Sequence, residues 1–188
     1  FEYLYKFVTS EPFDPERPEN NIDLLDSGTL YVARFREDGG GEWEPMVWQQ
    51  TSMLSSQNGF ESQAGVVLRC REAADLVGAT PMDRPEDIAV NPKTNKVYLA
   101  CTRNSDRAEG EVEVESAGRR MQTGPVGPNP RAPNPWGHII EISEDHDDGA
   151  SVSFHWEIFL LAGDPAQGQF LTSLASNTEA LHPDSTYF

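Results

Sequence analysis

The chain has 188 residues, with 14 Lys or Arg against 31 Asp or Glu, which gives a formal net charge of −17. This charge argues against DNA, RNA and anionic membrane surfaces as partners, because such partners are held by clustered Lys and Arg. It is compatible with cation binding and also with simple solubility. No apolar run approaches the roughly 20 residues of a membrane span. The length suffices for a single domain, and because the sequence starts at Phe1 we expect a fragment or a processed product.

The first part of the chain predicts a strand, a loop and a hairpin. Alternating aromatic residues predict a strand over Glu2–Val8. The segment Thr9–Gly28 is rich in proline and acidic residues, which favours a loop. Thr29–Phe35 and Glu42–Trp48 flank a Gly-rich turn, so we expect them to pair as a β-hairpin.

The segment Ser62–Val77 has the period of an amphipathic helix, and Gly78 is a natural stop. The apolar side chains that share one face are Val66, Cys70, Ala73, Ala74 and Val77. We expect this face to pack against the sheet. Cys101 falls on a predicted strand, and the two cysteines are interpreted as free thiols rather than a disulfide.

A second hairpin is predicted in the middle of the chain. Ile88–Val90 and Val97–Thr102 are rich in strand-forming residues, and Asn91–Asn95 between them is dense in turn formers. Pro85 keeps the chain extended before the first strand, which we expect to be buried.

The remainder of the chain alternates loops with strands. Glu109–Glu115 is either a short strand or a solvated acidic arm, and Gly124–Pro135 is a long loop of the kind that is usually functional or disordered. Gly137–Ser143 and Ser151–Leu160 predict strands. Phe170–Ser176 fits a short helix or a strand. The fold class is therefore mostly β, with antiparallel sheets, one amphipathic helix and long loops.

The candidate site lies at one end of the central hairpin. Glu86 and Asn104 flank its two strands, and a carboxylate and an amide oxygen at one strand end suit a hard cation. The alternatives are a Glu86 that lies in water or pairs with Arg84, and an Asn104 that only makes a turn. Arg103 and Arg107 carry guanidinium groups that fit phosphoryl oxygens, but surface ion pairs with the many acids are the plainer interpretation.

Other acidic and imidazole groups are given structural interpretations. Asp83 and Asp87 bracket Glu86, but alternation in an extended segment turns Glu86 away from both. His138, at a strand start, is interpreted as a structural hydrogen bonder. The acidic turn Glu144–Gly149 lacks the spacing of a calcium loop and is interpreted as solvated.

Several phrases of the sequence resemble the PhoX-like family of secreted bacterial alkaline phosphatases. They are Asp26–Phe35, Ala79–Glu86, Ala89–Thr94, Val97–Tyr98, Asn134–Ile140 and Ala162–Pro165. The resemblance implies part of a β-propeller phosphatase that is periplasmic or secreted and that hydrolyses phosphate monoesters with Ca²⁺ and Fe³⁺. It also implies that the Glu of the Arg-Pro-Glu phrase, Glu86, is a metal ligand. Arg103 stands where the family often has a second Asn, and this departure weakens the assignment of Asn104.

The number of predicted strands bears on what the chain does alone. About seven strands make fewer than two four-stranded blades, so residues 1–188 are expected to form a single domain within a larger propeller. We expect little phosphatase activity from this piece by itself, and its open sheet edges favour self-association. The competing hypotheses are a calcium-dependent propeller lactonase and a structural or binding fragment without catalysis.

Overall fold

The structure is a computed structural model that describes residues 2–105, 107, 112–114, 120–122, 127–164, 166 and 171–172. Within these residues the chain is mostly β. The strands are β1 Tyr5–Thr9, β2 Gly28–Phe35, β3 Gly40–Pro45, β4 Pro85–Val90, β5 Val97–Cys101, β6 Val112–Val114, β7 Arg120–Gln122, β8 His138–Glu144, β9 Ser153–Leu161 and β10 Leu171–Thr172. The α-helices are α1 Gln63–Leu68 and α2 Cys70–Val77.

The main sheet is antiparallel and curled, in the order β1-β2-β3-β9-β8-β5-β4. β3 pairs only with the first part of β9, at 153–155, whereas β10 pairs with its end, at 160–161. β9 therefore links two groups of strands that diverge along its length. This architecture confirms the predicted mostly β, antiparallel, propeller-like class. β6 and β7 form a separate small hairpin.

The predicted hairpin near the start of the chain is confirmed, with Tyr31 opposite Pro45 and Phe35 opposite Gly41. The strand before it, β1, pairs with β2, and the segment between them contains only short 3₁₀ turns. β2 is buried on both faces, because Val32 and Ala33, which point in opposite directions, are both fully buried. This hairpin separates two apolar cores.

The first core lies on one face of the sheet, where Phe35, Trp43 and Phe154 meet. The ring centroids of Phe35 and Phe154 are 5.1 Å apart, and those of Trp43 and Phe154 are 5.0 Å apart. Such aromatic pairs add roughly 0.5–1.5 kcal/mol each beyond the area that they bury. Leu99 of the central hairpin and Ile140 of the neighbouring strand β8 belong to the same core. The core therefore supports the hairpin whose end carries the candidate site.

The second core lies between the helices and the other face of β2. Val66, Ala73 and Ala74 are fully buried there, which confirms the predicted apolar face. The prediction of one continuous helix is wrong, because Arg69 adopts φ −113° and ψ 39° and separates α1 from α2. The Arg69 guanidinium donates to the Gly59 carbonyl oxygen at 2.9 Å and so ties this break to the preceding loop.

The end of α2 and the two cysteines agree with the predictions. Gly78 ends α2 in the left-handed region, at φ 86°, and its N–H donates back to the last turn. Cys70 is half-buried and Cys101 is buried, and both are free thiols.

The central hairpin forms as predicted, with Ile88 opposite Leu99 and Val90 opposite Val97. The expectation that its first strand is buried is wrong. β4 is the last strand of the sheet, and residues 86–90 are all exposed. Ile88 is 51% exposed and Val90 57%, because no further strand covers them among the residues described here.

The later strands match their predicted positions. β8 and β9 pair over most of their length, and β6 lies inside the acidic segment that fits a short strand. β7 was not predicted. β10 accounts for two residues of Phe170–Ser176, and the others lie outside the described part of the chain.

The acidic turn after β8 is not uniformly solvated. The Glu144 carboxylate is largely buried and bonds to Lys6 Nζ at 3.1 Å and to Trp43 Nε1 at 3.0 Å. Burial raises the pKa of Glu144, and burial also lowers the pKa of Lys6. Glu144 thus joins β1, β3 and β8, and the next acid, Asp145, is half-buried, whereas Asp147 and Asp148 are exposed, as predicted.

Candidate metal-binding strand end and the polar cluster behind it

Glu86 lies on a β-bulge at the start of β4. Pro85 is opposite Cys101 and Asp87 is opposite Ala100, so Glu86 is an extra residue without a partner on β5. Bulges re-aim side chains and are common beside active sites. Two residues earlier, Arg84 has φ 47°, which is unfavourable for a residue with a Cβ. The backbone around Glu86 therefore contains a bulge and a left-handed residue, whereas simple alternation predicted a regular extended segment.

The carboxylate of Glu86 is accessible and weakly held. Its side chain is 46% exposed, and Oε1 lies 3.0 Å from Arg84 Nη2. The Thr102 hydroxyl donates to the same oxygen at 3.2 Å. An exposed ion pair contributes only about 0.2–1 kcal/mol, so a cation could displace Arg84 at little cost. The pairing with Arg84 is the alternative that the sequence left open.

Behind this strand end lies a buried polar cluster, centred on Asp83. The Asp83 carboxylate accepts hydrogen bonds from Arg107 Nε at 2.6 Å, Asn104 Nδ2 at 2.9 Å and Asn134 Nδ2 at 3.1 Å. The side chains of Asp83 and Arg107 are both 0% exposed. Burying an ion pair is tolerated only when further hydrogen bonds satisfy the charges, as the two asparagines do here.

Asn134 links the cluster to the loop before β8. Its Nδ2 also bonds to His138 Nδ1 at 2.9 Å, and its Oδ1 accepts from Arg131 Nη2 at 2.9 Å and from the Gly137 N–H at 3.2 Å. All four hydrogen bonds available to this amide are thus made. Its backbone also exchanges a pair of hydrogen bonds with Asn104, at 2.7 and 2.9 Å.

Gly137 lets the loop approach β5 closely. Its φ is 79°, and a Cβ at this position would lie 2.4 Å from the Cys101 carbonyl oxygen. Only glycine fits such an approach. The contact fixes the start of β8 against the end of β5.

His138 is a buried, neutral member of the cluster. Burial lowers the pKa of its imidazole to about 4, although the Asp83 carboxylate acts in the opposite direction. Because Nδ1 accepts from Asn134, Nε2 carries the proton of the neutral ring. The predicted structural role of His138 agrees with these contacts.

The four predicted site residues separate into two groups. Asn104 and Arg107 meet on Asp83, inside the cluster, whereas Glu86 and Arg103 are exposed. Arg107 does make an ion pair, but a buried one instead of the surface pair expected as the alternative. Substrate contact by Arg103 and Arg107 and metal ligation by Glu86 and Asn104 stay predictions.

The chemistry of the available donors fits Ca²⁺ in part. Glu86 and Asn104 offer hard oxygen atoms, but Ca²⁺ takes about 6–8 of them. Among the described residues, no three His, Cys, Asp or Glu side chains lie close enough together to hold a metal ion. Burial raises the pKa of the Cys101 thiol, which disfavours its thiolate form.

Sequence reasoning missed the members of the cluster that lie far from the hairpin along the chain. Asn129 is fully buried, and its Oδ1 accepts from the Asp83 N–H at 3.0 Å. Arg131 was assigned only to a loop, and Asn134 was named only as part of a loop and of a phrase that resembles the PhoX-like family. One signal was available, because several amide and guanidinium side chains fall within a Pro-rich segment that has few large apolar residues to bury.

The curled antiparallel sheet gives this chain a propeller-like fold. Its sequence matches the family model described as alkaline phosphatase PhoX over residues 1–188. Among solved structures it is similar to "Pseudomonas fluorescens PhoX in complex with vanadate, a transition state analogue", with 39% sequence identity and a TM-score of 0.78. The alignment covers 88% of this chain and 28% of that chain. A comparison with curated proteins finds no significant match.

The chain belongs to the PhoX family, as its resemblance indicated. It spans 28% of the length of the Pseudomonas fluorescens PhoX chain. Among the described residues, none of the helices is both long and apolar enough to cross a membrane.

Proposed function

We propose that this chain forms part of a phosphatase that hydrolyses phosphate monoesters with Ca²⁺ and Fe³⁺. The observation that carries the proposal is the 39% identity to a PhoX whose structure contains vanadate, a transition state analogue. An enzyme binds such analogues because its site is complementary to the transition state. The match to the PhoX family model over residues 1–188 supports the same reaction class.

Glu86 and Asn104 are the proposed metal ligands of this chain. The bulge at Glu86, its exposed carboxylate and the hard oxygen chemistry of both side chains support this assignment. A bound cation supplies Lewis-acid stabilisation of the charge on the phosphoryl oxygens. The remaining ligands, including those for Fe³⁺, are proposed to lie outside the described residues.

Arg103 is the better placed of the two proposed substrate-binding arginines. It is exposed at the same end of the hairpin as Glu86, where its guanidinium can donate to a phosphoryl group. Arg107 is buried against Asp83, so its proposed contribution is indirect. A periplasmic or secreted location is proposed from the resemblance to secreted phosphatases.

Elemental analysis of the purified full-length protein, combined with p-nitrophenyl phosphate turnover, tests the proposed function. We expect iron together with several calcium ions per molecule, and turnover that chelators abolish. A single calcium ion with lactone hydrolysis would instead identify a propeller lactonase. Absence of both metals and of turnover in the full-length protein would leave a structural or binding role.

A further inference from the structure

The contacts of Asp83 connect the buried cluster to both proposed metal ligands. We propose that Asp83 is a positioning residue for the metal site: it orients the amide group of Asn104 and fixes the backbone that carries Glu86. This inference rests on the proposed function. It concerns a fully buried residue that the sequence analysis named only as a neighbour of Glu86 and did not select as a ligand.

The first link is a side-chain contact to Asn104. Asp83 Oδ1 accepts from Asn104 Nδ2 at 2.9 Å, so the NH₂ group of the amide faces the carboxylate. The carbonyl oxygen of a planar amide then points away from Asp83. Because a metal is bound by this oxygen, the hydrogen bond selects the amide orientation that suits ligation.

The second link runs along the backbone to Glu86. The Asp83 N–H donates to Asn129 Oδ1 at 3.0 Å, and the next carbonyl, of Arg84, accepts from the Thr102 N–H at 3.1 Å. These bonds hold the left-handed residue that leads into the bulge. One of these bonds comes from the cluster and the other from the residue after β5, so the cluster helps to fix the backbone that leads to Glu86.

A carboxylate is required at this position because three donors converge on it. Asn104, Arg107 and Asn134 all donate to Asp83, and a carboxylate only accepts. Asp83→Asn keeps the shape of the side chain but turns an NH₂ group toward at least one of these donors. We expect the Asn104 amide to lose its fixed orientation in this variant.

The test compares Asp83→Asn with Asp75→Asn in the full-length protein. Asp75 is a matched control because it is also a buried aspartate, 1% exposed, but it accepts from the Tyr3 hydroxyl beside the helices, away from the cluster. For each metal-free protein we would measure the thermal midpoint Tm, and then Ca²⁺ affinity by isothermal titration calorimetry well below Tm. Both variants are expected to lower Tm.

Only Asp83→Asn is expected to weaken Ca²⁺ binding, by roughly 10–100-fold, the typical effect of removing a group that orients a metal ligand. A Ca²⁺ affinity equal to that of Asp75→Asn would overturn the inference and leave Asp83 a purely structural residue. If Asp83→Asn does not fold, Asn129→Ala, which releases the Asp83 N–H, is expected to weaken Ca²⁺ binding in the same direction. Unchanged affinity in that variant would overturn the inference equally.

The variant Glu86→Gln separates this inference from the proposed function. If Glu86→Gln weakens Ca²⁺ binding while Asp83→Asn does not, the ligand assignment stands and the positioning role fails. If Glu86→Gln leaves Ca²⁺ binding unchanged, the ligand assignment itself fails, and the positioning role is overturned with it.

Discussion

The buried Asp83–Arg107 ion pair is expensive to place in the protein interior. Desolvation of two charges costs several kcal/mol for each ion, and only a complete set of hydrogen bonds offsets it. Asn104 and Asn134 complete that set around the Asp83 carboxylate. Removing one partner of such a pair typically costs about 3–5 kcal/mol. The cluster therefore stabilises the one arrangement of these side chains in which every charge is hydrogen-bonded.

The neutral His138 next to this pair makes stability depend on pH. Its pKa in the folded protein is about 4, below the ordinary value of 6.5, mainly because the ring is buried. Between these values the unfolded chain binds a proton that the folded chain does not. The contribution of His138 to stability is therefore complete above pH 6.5 and is lost as the pH falls below it. Asp83 raises the pKa of His138, whereas Arg131 and Arg107 lower it.

From pH 7 to pH 5 we expect His138 to lower the free energy of unfolding by about 2 kcal/mol. Urea denaturation of the wild type and of His138→Gln at both pH values measures this difference. Glutamine does not titrate but can still accept from Asn134. The same pH dependence in both proteins would show that His138 is not the responsible group.

Among the residues that the structure describes, strand β4 has an open edge and exposed apolar side chains. Ile88 and Val90 project from the end of the sheet, beside a cleft of about 280 Å³ that Tyr98, Ile139 and Phe159 help to line. An uncovered edge of this kind offers its backbone groups to another strand. We propose that the 188-residue chain in isolation self-associates through β4.

Ile88→Lys is expected to shift the isolated chain toward the monomer in sedimentation-velocity experiments, because charged residues, and lysine especially, oppose strand pairing at an edge. Val152→Lys is the control, since Val152 is similarly exposed, at 58%, but lies in the turn before β9. Equal effects of the two substitutions would indicate association through general surface hydrophobicity.

Glu86 and Asp83 show which features of the site could be predicted from the sequence and which could not. The hairpin and the position of Glu86 at its end follow from local strand and turn preferences, which act over a few residues. The bulge at Glu86 depends on the register against β5, which no local pattern encodes. The contacts of Asp83 span 21, 24 and 51 positions along the chain, so composition and periodicity carried no signal for them.

A similar limit explains the two errors at the level of elements. The apolar run Ile88–Val90 suggested a buried strand, but its burial depends on whether a neighbour exists on each side, and β4 is last in the sheet. The break at Arg69 is accompanied by a contact with Gly59, in a loop outside the helical pattern. Periodicity within a segment identifies an element but not its neighbours.

At the scale of the whole molecule, two groups of strands joined along β9 form part of a propeller-like fold. The related PhoX chain is much longer, since the alignment covers 28% of it. That residues 1–188 form a single domain of a larger phosphatase, inactive when isolated, stays a prediction. The metal set of Ca²⁺ and Fe³⁺ also stays a proposal.

The central claim is that Glu86 helps to hold the metal on which phosphatase activity depends. The most direct measurement is metal content together with kcat/KM for p-nitrophenyl phosphate in full-length Glu86→Gln, with Asp87→Asn as the matched control on the same exposed strand. We expect Glu86→Gln to lose metal and at least roughly 10–100-fold of its activity with the fold intact, and Asp87→Asn to retain both. Normal metal stoichiometry and near-normal turnover in Glu86→Gln would contradict the claim.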